Sequence, residues 1–255
     1  MDNNIPRNIF QDLIKEVVRP EEIELGSIKQ HESLSPLIWE GENMKKDIRA
    51  TLLKNAKAFI VYAGIENVRF NDIVITGSMA NYNYSKNSDI DVHIILDFNQ
   101  ISENVDLVND LLSTKKKLWS KTYDTSIKNH EIELYFQNTK EPHHATGIFS
   151  ILNDLWIKKP TNKILDINTE NVRKKTSQFI NNIDELEKMV DDERFIKKYD
   201  ELKEKLKKFR QSGLEDEGEY STENIVFKLL RNLGHLDRLF ELKNKHITKN
   251  LTIKQ

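Results

Sequence analysis

The chain has 255 residues, 38% hydrophobic and 31% charged, enough for one large domain or two small ones with a sizeable core. Its formal net charge of −2 gives no global basic field to draw in nucleic acid, and the absence of cysteine excludes disulfides, thiolate catalysis and cysteine-ligated zinc. The longest apolar stretch, around Ala56–Gly64, is too short to span a bilayer, and Met1–Phe10 carries Asp2, Asn3, Asn4 and Arg7, unlike a secretory leader, so the expected location is the cytoplasm.

Residues 1–35 read as an accessory segment. Ile9, Leu13, Ile14 and Val17 line one face of a short helix that stops before Pro20, and Glu21–Ser35 reads as extended or irregular. From Met44 to Ala63 the positions Met44, Ile48, Leu52, Ala56, Phe59, Ile60 and Ala63 keep helical spacing, with Gly64 as the stop.

A strand Asp72–Thr76 then runs into Gly77-Ser78, and a polar loop Asn81–Asn87 with Tyr82 and Tyr84 reads equally as a wall near a ligand or as a surface turn. Next comes Ser88-Asp89-Ile90-Asp91-Val92-His93, leading into Ile94-Ile95-Leu96. Strand alternation puts Asp89, Asp91 and His93 on one face and Ile90, Val92 and Ile94 on the other. Two carboxylates on one face repel unless a cation joins them, and hard divalent ions such as Mg²⁺ take oxygen ligands while leaving room for phosphate. Gly77-Ser78 offers backbone N–H groups and a hydroxyl at a strand-to-turn junction, a cradle for phosphate. Each feature alone is common. Their order along the chain points to a site for a metal-bound nucleoside triphosphate.

Val105, Val108, Leu112, Lys116 and Trp119 mark another amphipathic helix. His130–Gln137 alternates as a third strand, with Ile132, Leu134 and Phe136 toward the core and Glu131, Glu133, Tyr135 and Gln137 opposite. Beside the Asp strand it would supply a third carboxylate, suiting two metal ions. Glu133, between two apolar anchors at mid-strand, is the expected ligand rather than Glu131 near the strand's start. Ile148–Ile157 reads as a hairpin turning at Asn153-Asp154. His143-His144 face opposite ways on an extended chain and read as a loop pair before a metal site.

The remainder reads as helical. Val172, Thr176, Phe179, Ile183, Leu186 and Val190 form one seam; Phe195, Tyr199, Leu202, Leu206 and Phe209 form another, shifted in phase at Asp191–Glu193. Segment 194–210 holds eight Lys or Arg against three Asp or Glu. That stripe reads first as a solvated face and second as a grip on a phosphate backbone, with RNA as a possible acceptor. Gly213–Gly218 breaks the pattern, and Ser221 caps a final helix to about Lys245 with Val226, Leu229, Leu230, Leu233, Leu236 and Phe240 inward.

Gly77-Ser78, Asp89-Ile90-Asp91-Val92 and Ile132-Glu133-Leu134 together resemble the signature of the DNA polymerase β-like nucleotidyltransferase superfamily. Leu34–Gly41, Gly147–Ser150, Glu219–Asn224 and Phe227–Arg231 have counterparts in uncharacterised nucleotidyltransferases of bacteriophages and bacteria, so the resemblance spans about residues 34–250. It implies an α/β (α+β) fold, a small mixed sheet flanked by helices and followed by an all-helical C-terminal domain, with divisions at 1–35, 36–160 and 161–255. It implies Asp89, Asp91 and Glu133 as ligands of two Mg²⁺ or Mn²⁺ ions. Gly77, Ser78 and Ser88 would bind the nucleotide, with Lys228 and Arg231 as cationic contacts from the C-terminal helices. The expected reaction moves a nucleoside monophosphate from an NTP, ATP among them, to an acceptor hydroxyl on RNA, protein or a small molecule, releasing pyrophosphate. Alternatives are a template-independent polymerase or cyclase, and an antitoxin-like binding module. The long helical extension and the retained carboxylates argue against the last.

Overall fold

The computed structural model describes residues 18–23, 25, 30–142, 145–162 and 167–252, with only the backbone of Glu219. The proposed helix over Ile9–Val17 and the pair His143-His144 lie outside the described residues. The chain divides into two compact units, one of Ile28–Ile164 and one of Leu165–Gln255 together with Met1–Ser27.

The first unit opens with the two-residue strands β1 (Trp39–Glu40) and β2 (Asn43–Met44), turned through Gly41 at φ 61°. Helix α1 (Lys46–Ala63) follows and ends on Gly64 in the left-handed conformation, whose N–H reaches the carbonyls of Ile60 and Val61. Then come β3 (Phe70–Thr76), β4 (Ile90–Leu96), α2 (Val105–Thr122), β5 (Ser126–Ile127), β6 (His130–Asn138), β7 (Ile148–Ser150) and β8 (Leu155–Lys158). The six larger-sheet strands run in the order β5-β6-β4-β3-β7-β8. β3 and β4 are antiparallel, whereas β4 and β6 are parallel, which is why a whole helix, α2, intervenes between them. This is a mixed sheet flanked by helices, the expected fold class.

The period-2 pattern sorts the sheet's faces. Ile73, Ile75, Ile90, Val92, Ile94, Ile132 and Leu134 pack with Leu52, Phe59, Leu112 and Trp119 of α1 and α2 in the main core. Fully buried rings such as Phe59 and Phe98 each contribute about 1.5–3 kcal/mol. The opposite face carries only a small apolar cluster of Val74, Ile95 and Ile148. The candidate site residues Asp91 and Glu133 lie on that face.

The second unit contains α3 (Thr169–Lys188), α4 (Phe195–Asp216), α5 (Thr222–Asn232) and α6 (His235–Leu251). The phase shift at Asp191–Glu193 is a break between α3 and α4. The expected break at Gly213–Gly218 is where α4 ends, at Asp216. Gly213 itself is buried within α4, where a β-carbon would fall 2.5 Å from both Ser221 Oγ and Glu223 Cβ, so its bareness lets the start of α5 approach. One expectation fails here. The final helix is in fact two. Ser221 caps α5, accepting from the Asn224 N–H, but Gly234 at φ 78° splits the run after Leu233. The phase resets, so Leu239 and Leu242 are buried while Leu233 and Phe240 are 44% and 61% exposed. Among the described residues no helix is long and apolar enough to cross a membrane.

Candidate active site

Three strands align their polar faces at one end of the sheet. Thr76 of β3 is the register partner of Asp91 on β4, and Asp91 is the partner of Glu133 on β6, giving one row across three strands. The next row behind it is Val74, His93 and Tyr135. Ile90, Val92, Ile132 and Leu134, all buried, clamp the backbone on either side of Asp91 and Glu133, so alternation turns both carboxylates to the polar face. Asp89 lies one residue ahead of β4, and Glu131 at the start of β6 pairs with Ser126 of β5.

Beyond Thr76 the chain turns on Gly77, at φ 72° and ψ −160°, a backbone conformation that side chains strongly disfavour. A β-carbon there would lie 2.1 Å from Oδ2 of Asp91. The Asp91 carboxylate therefore sits directly against the turn. Ser78–Ala80 continue as one turn of 3-10 helix, and its carbonyls are braced from outside. The buried Trp39 ring donates its Nε1–H to the Met79 carbonyl at 2.8 Å. Gly147 packs so closely on the Ala80 carbonyl that a β-carbon would fall 2.0 Å from the oxygen. Asn81 donates to the Thr146 hydroxyl at 2.5 Å.

Ser88 organises the loop between turn and strand. Its hydroxyl oxygen accepts from the Ser78 hydroxyl at 2.8 Å and from the Ser85 N–H at 2.9 Å. Its carbonyl accepts from the His130 ring at 2.6 Å, tying the starts of β4 and β6 together. The loop Asn81–Asn87 is held on its other flank by His31, whose ring stacks on Tyr84 at 3.9 Å and whose N–H bonds the Tyr82 carbonyl. Ser88 thus fixes the cradle from behind.

Glu133 is engaged by Lys116 and Tyr135. Lys116 of α2 lies 3.2 Å from its Oε2, and the Tyr135 hydroxyl donates to the same oxygen. Tyr135 stacks on His93, which bonds the Gln137 side chain at 2.8 Å. Partial desolvation first, and then the carboxylates of Glu133, Asp89 and Asp124, push the Glu131 carboxyl above the usual range, with Lys116 pulling it back. These acidic groups feel one another, yet among the described residues no three His, Asp or Glu side chains are gathered closely enough to hold an ion as they stand.

Lys228 and Arg231 lie on α5 of the other unit, the first half-buried and the second exposed; their link to a triphosphate comes from the resemblance alone. The basic stripe of α4 is exposed and partly paired within its own unit, through Lys198–Glu201, Lys208–Glu204 and Arg194–Asp192. Sequence reasoning missed four residues that shape the site: Lys116, read as a seam position; Tyr135, left merely opposite the core; and Trp39 and Gly147, noted only as family counterparts.

Residues 66–155 match the nucleotidyltransferase domain family. The chain carries a nucleotidyltransferase domain. The match covers 90 of the chain's 255 residues and places the domain there. The matched stretch runs from just before β3 to the first residue of β8 and so contains the turn, the Asp strand and β6. No curated protein matches the chain. A solved structure, the STING-associated CdnE c-di-GMP synthase from Capnocytophaga granulosa, is similar at 12% identity over 97% of this chain and 94% of its own. The TM-score of that match is 0.20.

Proposed function

We propose that this nucleotidyltransferase moves a nucleoside monophosphate from an NTP to an acceptor hydroxyl, releasing pyrophosphate, with Asp89, Asp91 and Glu133 as ligands of two Mg²⁺ or Mn²⁺ ions. The observation that carries the reading is the row Thr76–Asp91–Glu133 ending at a glycine turn against which the Asp91 carboxylate lies. The donor set fits hard divalent ions: carboxylate oxygens on rigid strand positions, in a chain without cysteine. When bound, such ions activate the attacking hydroxyl and offset charge on the leaving pyrophosphate.

The chain's own residues do the placing. Gly77 leaves the room that the Asp91 carboxylate takes against the turn, and the backbone of Gly77-Ser78 would meet phosphate oxygens beside it. Ser78 and Ser88 hold the cradle's shape through their shared hydroxyl contact. Little covalent work falls to the protein in such a reaction; position and electrostatics supply most of the acceleration.

The test is incubation of purified protein with each α-labelled NTP, Mg²⁺ or Mn²⁺, and RNA, protein or no acceptor. Label in RNA or protein supports transfer to that acceptor and, for RNA, brings the α4 stripe into play. Label in short oligomers or cyclic products without acceptor supports the polymerase or cyclase alternative. Label nowhere, across all NTPs and acceptors, contradicts the proposal.

A further inference from the structure

Lys116 stands where an amphipathic helix ordinarily places an apolar side chain. On α2 it falls in the seam of Val108, Leu112 and Trp119, all buried, and a lysine in such surroundings persists only with partners. Glu133 and the Tyr135 ring serve as its partners here. Its Nζ lies 3.2 Å from Oε2 of Glu133 and 3.3 Å from the centroid of the Tyr135 ring. The Lys116 and Glu133 side chains are only 27% and 26% exposed, so the contact is partly shielded from water. The Tyr135 hydroxyl meets the same Glu133 oxygen, and its ring stacks on His93. The ammonium is therefore held by an ion pair and by a ring at once, beside the row that contains Asp91.

We propose that Lys116 is the resident counter-cation of the acidic site: in the metal-free protein its ammonium neutralises Glu133, and it competes with the divalent ion for that carboxylate. The inference rests on the metal reading given above. The carboxylates of Glu133 and Asp89 both bear on Glu131 at this end of the sheet, and without a cation such groups repel one another. An ammonium and a dication on one carboxylate also repel, so loading the site means exchanging one for the other. A lysine that merely oriented Glu133 would behave in the opposite way. Removing an orienting partner weakens metal binding; removing a competitor strengthens it.

Mn²⁺ binding to the full chain without nucleotide, followed by electron paramagnetic resonance, separates the two. The expected result is that K116M binds Mn²⁺ about tenfold more tightly than the wild type, the effect of losing roughly one pK unit of like-charge interaction. K116R, which keeps the charge, should stay close to the wild type, and D91N should lose binding. Metal-free K116M should also unfold at a lower temperature than the wild type and be raised more by added Mn²⁺. K116Q is measured in the same way should K116M fail to fold. Equal or weaker binding by the charge-removing variant, with D91N still losing the ion, overturns the counter-cation role alone. Undiminished binding by D91N overturns the metal site, and the counter-cation with it.

Discussion

The β-carbon that Gly77 lacks would sit 2.1 Å from Oδ2 of Asp91, so the turn and the carboxylate occupy adjoining space with no room for a methyl group between them. The backbone at Gly77, φ 72° and ψ −160°, adds a strain of about 1–3 kcal/mol for any other residue. Gly77→Ala should therefore cost activity twice over, by displacing Asp91 and by distorting the cradle. We expect a loss of about a hundredfold or more in kcat/KM, in line with misplaced metal-site groups, with the fold retained. Activity within a few-fold of wild type would mean that neither contact matters to the reaction.

Glu133 and Glu131 face the same way, but only Glu133 is the register partner of Asp91; Glu131 pairs with Ser126 at the strand's start. Glu133→Gln should lower the rate by about a hundredfold at saturating Mg²⁺, and Glu131→Gln by much less. Steady-state rates of the two variants decide it. The reverse order would make Glu131 the third ligand.

What the residues disclosed and what they withheld follow from the range of the forces involved. The Asp89-Ile90-Asp91-Val92 alternation, the Gly64 stop and the Ser221 cap are local, so they could be read from the chain. The pairing of Asp91 with Glu133 depends on a parallel crossover spanning α2, and no local pattern sets that register. Lys116 kept the helical spacing of an apolar seam, and only the tertiary structure puts Glu133 above it. Gly234 was overlooked because Leu233 and Leu236 carry the apolar period across the break, and the phase of Phe240 went wrong with it. Trp39 and Gly147 act on carbonyls of the Ser78–Ala80 turn from distant segments, a contact that spacing does not encode.

Trp39 offers a test of that outside bracing. Its Nε1–H bond to the Met79 carbonyl is buried, and Trp39→Phe leaves that carbonyl without this donor. Loss of a buried hydrogen bond of this kind costs about 1–3 kcal/mol. For a chain of this size that corresponds to a Tm lower by about 2–4 °C per kcal/mol. We also expect a raised KM for the NTP, because the turn next to Gly77 loosens. A variant with wild-type Tm and KM would show that the turn needs no brace from Trp39.

We expect His235 to make the helical unit sensitive to mild acid. It opens α6 with its Nδ1 buried and, among the described residues, without a hydrogen-bond partner. Burial, followed by the Arg238 guanidinium, lowers its pKa, against the pull of Asp184. The unfolded chain then takes up a proton more readily than the folded one, at about pH 6.5. Stability should be full above that pH and fall as the pH drops below it. His235→Gln should flatten the change between about pH 7 and 5.5, measured by thermal unfolding. A wild-type Tm that is constant or rises over this range contradicts the assignment.

Transfer by Asp89→Asn and Asp91→Asn variants tests the central claim most directly. Purified wild type and each variant are incubated with α-labelled NTP, Mg²⁺ and whichever acceptor the wild type labels, and thermal unfolding is recorded in parallel. Both variants should keep or exceed the wild-type Tm, because an amide relieves the repulsion between the carboxylates, and both should transfer no detectable label. Full transfer by either folded variant would contradict an account in which these two carboxylates hold the metal-bound nucleotide.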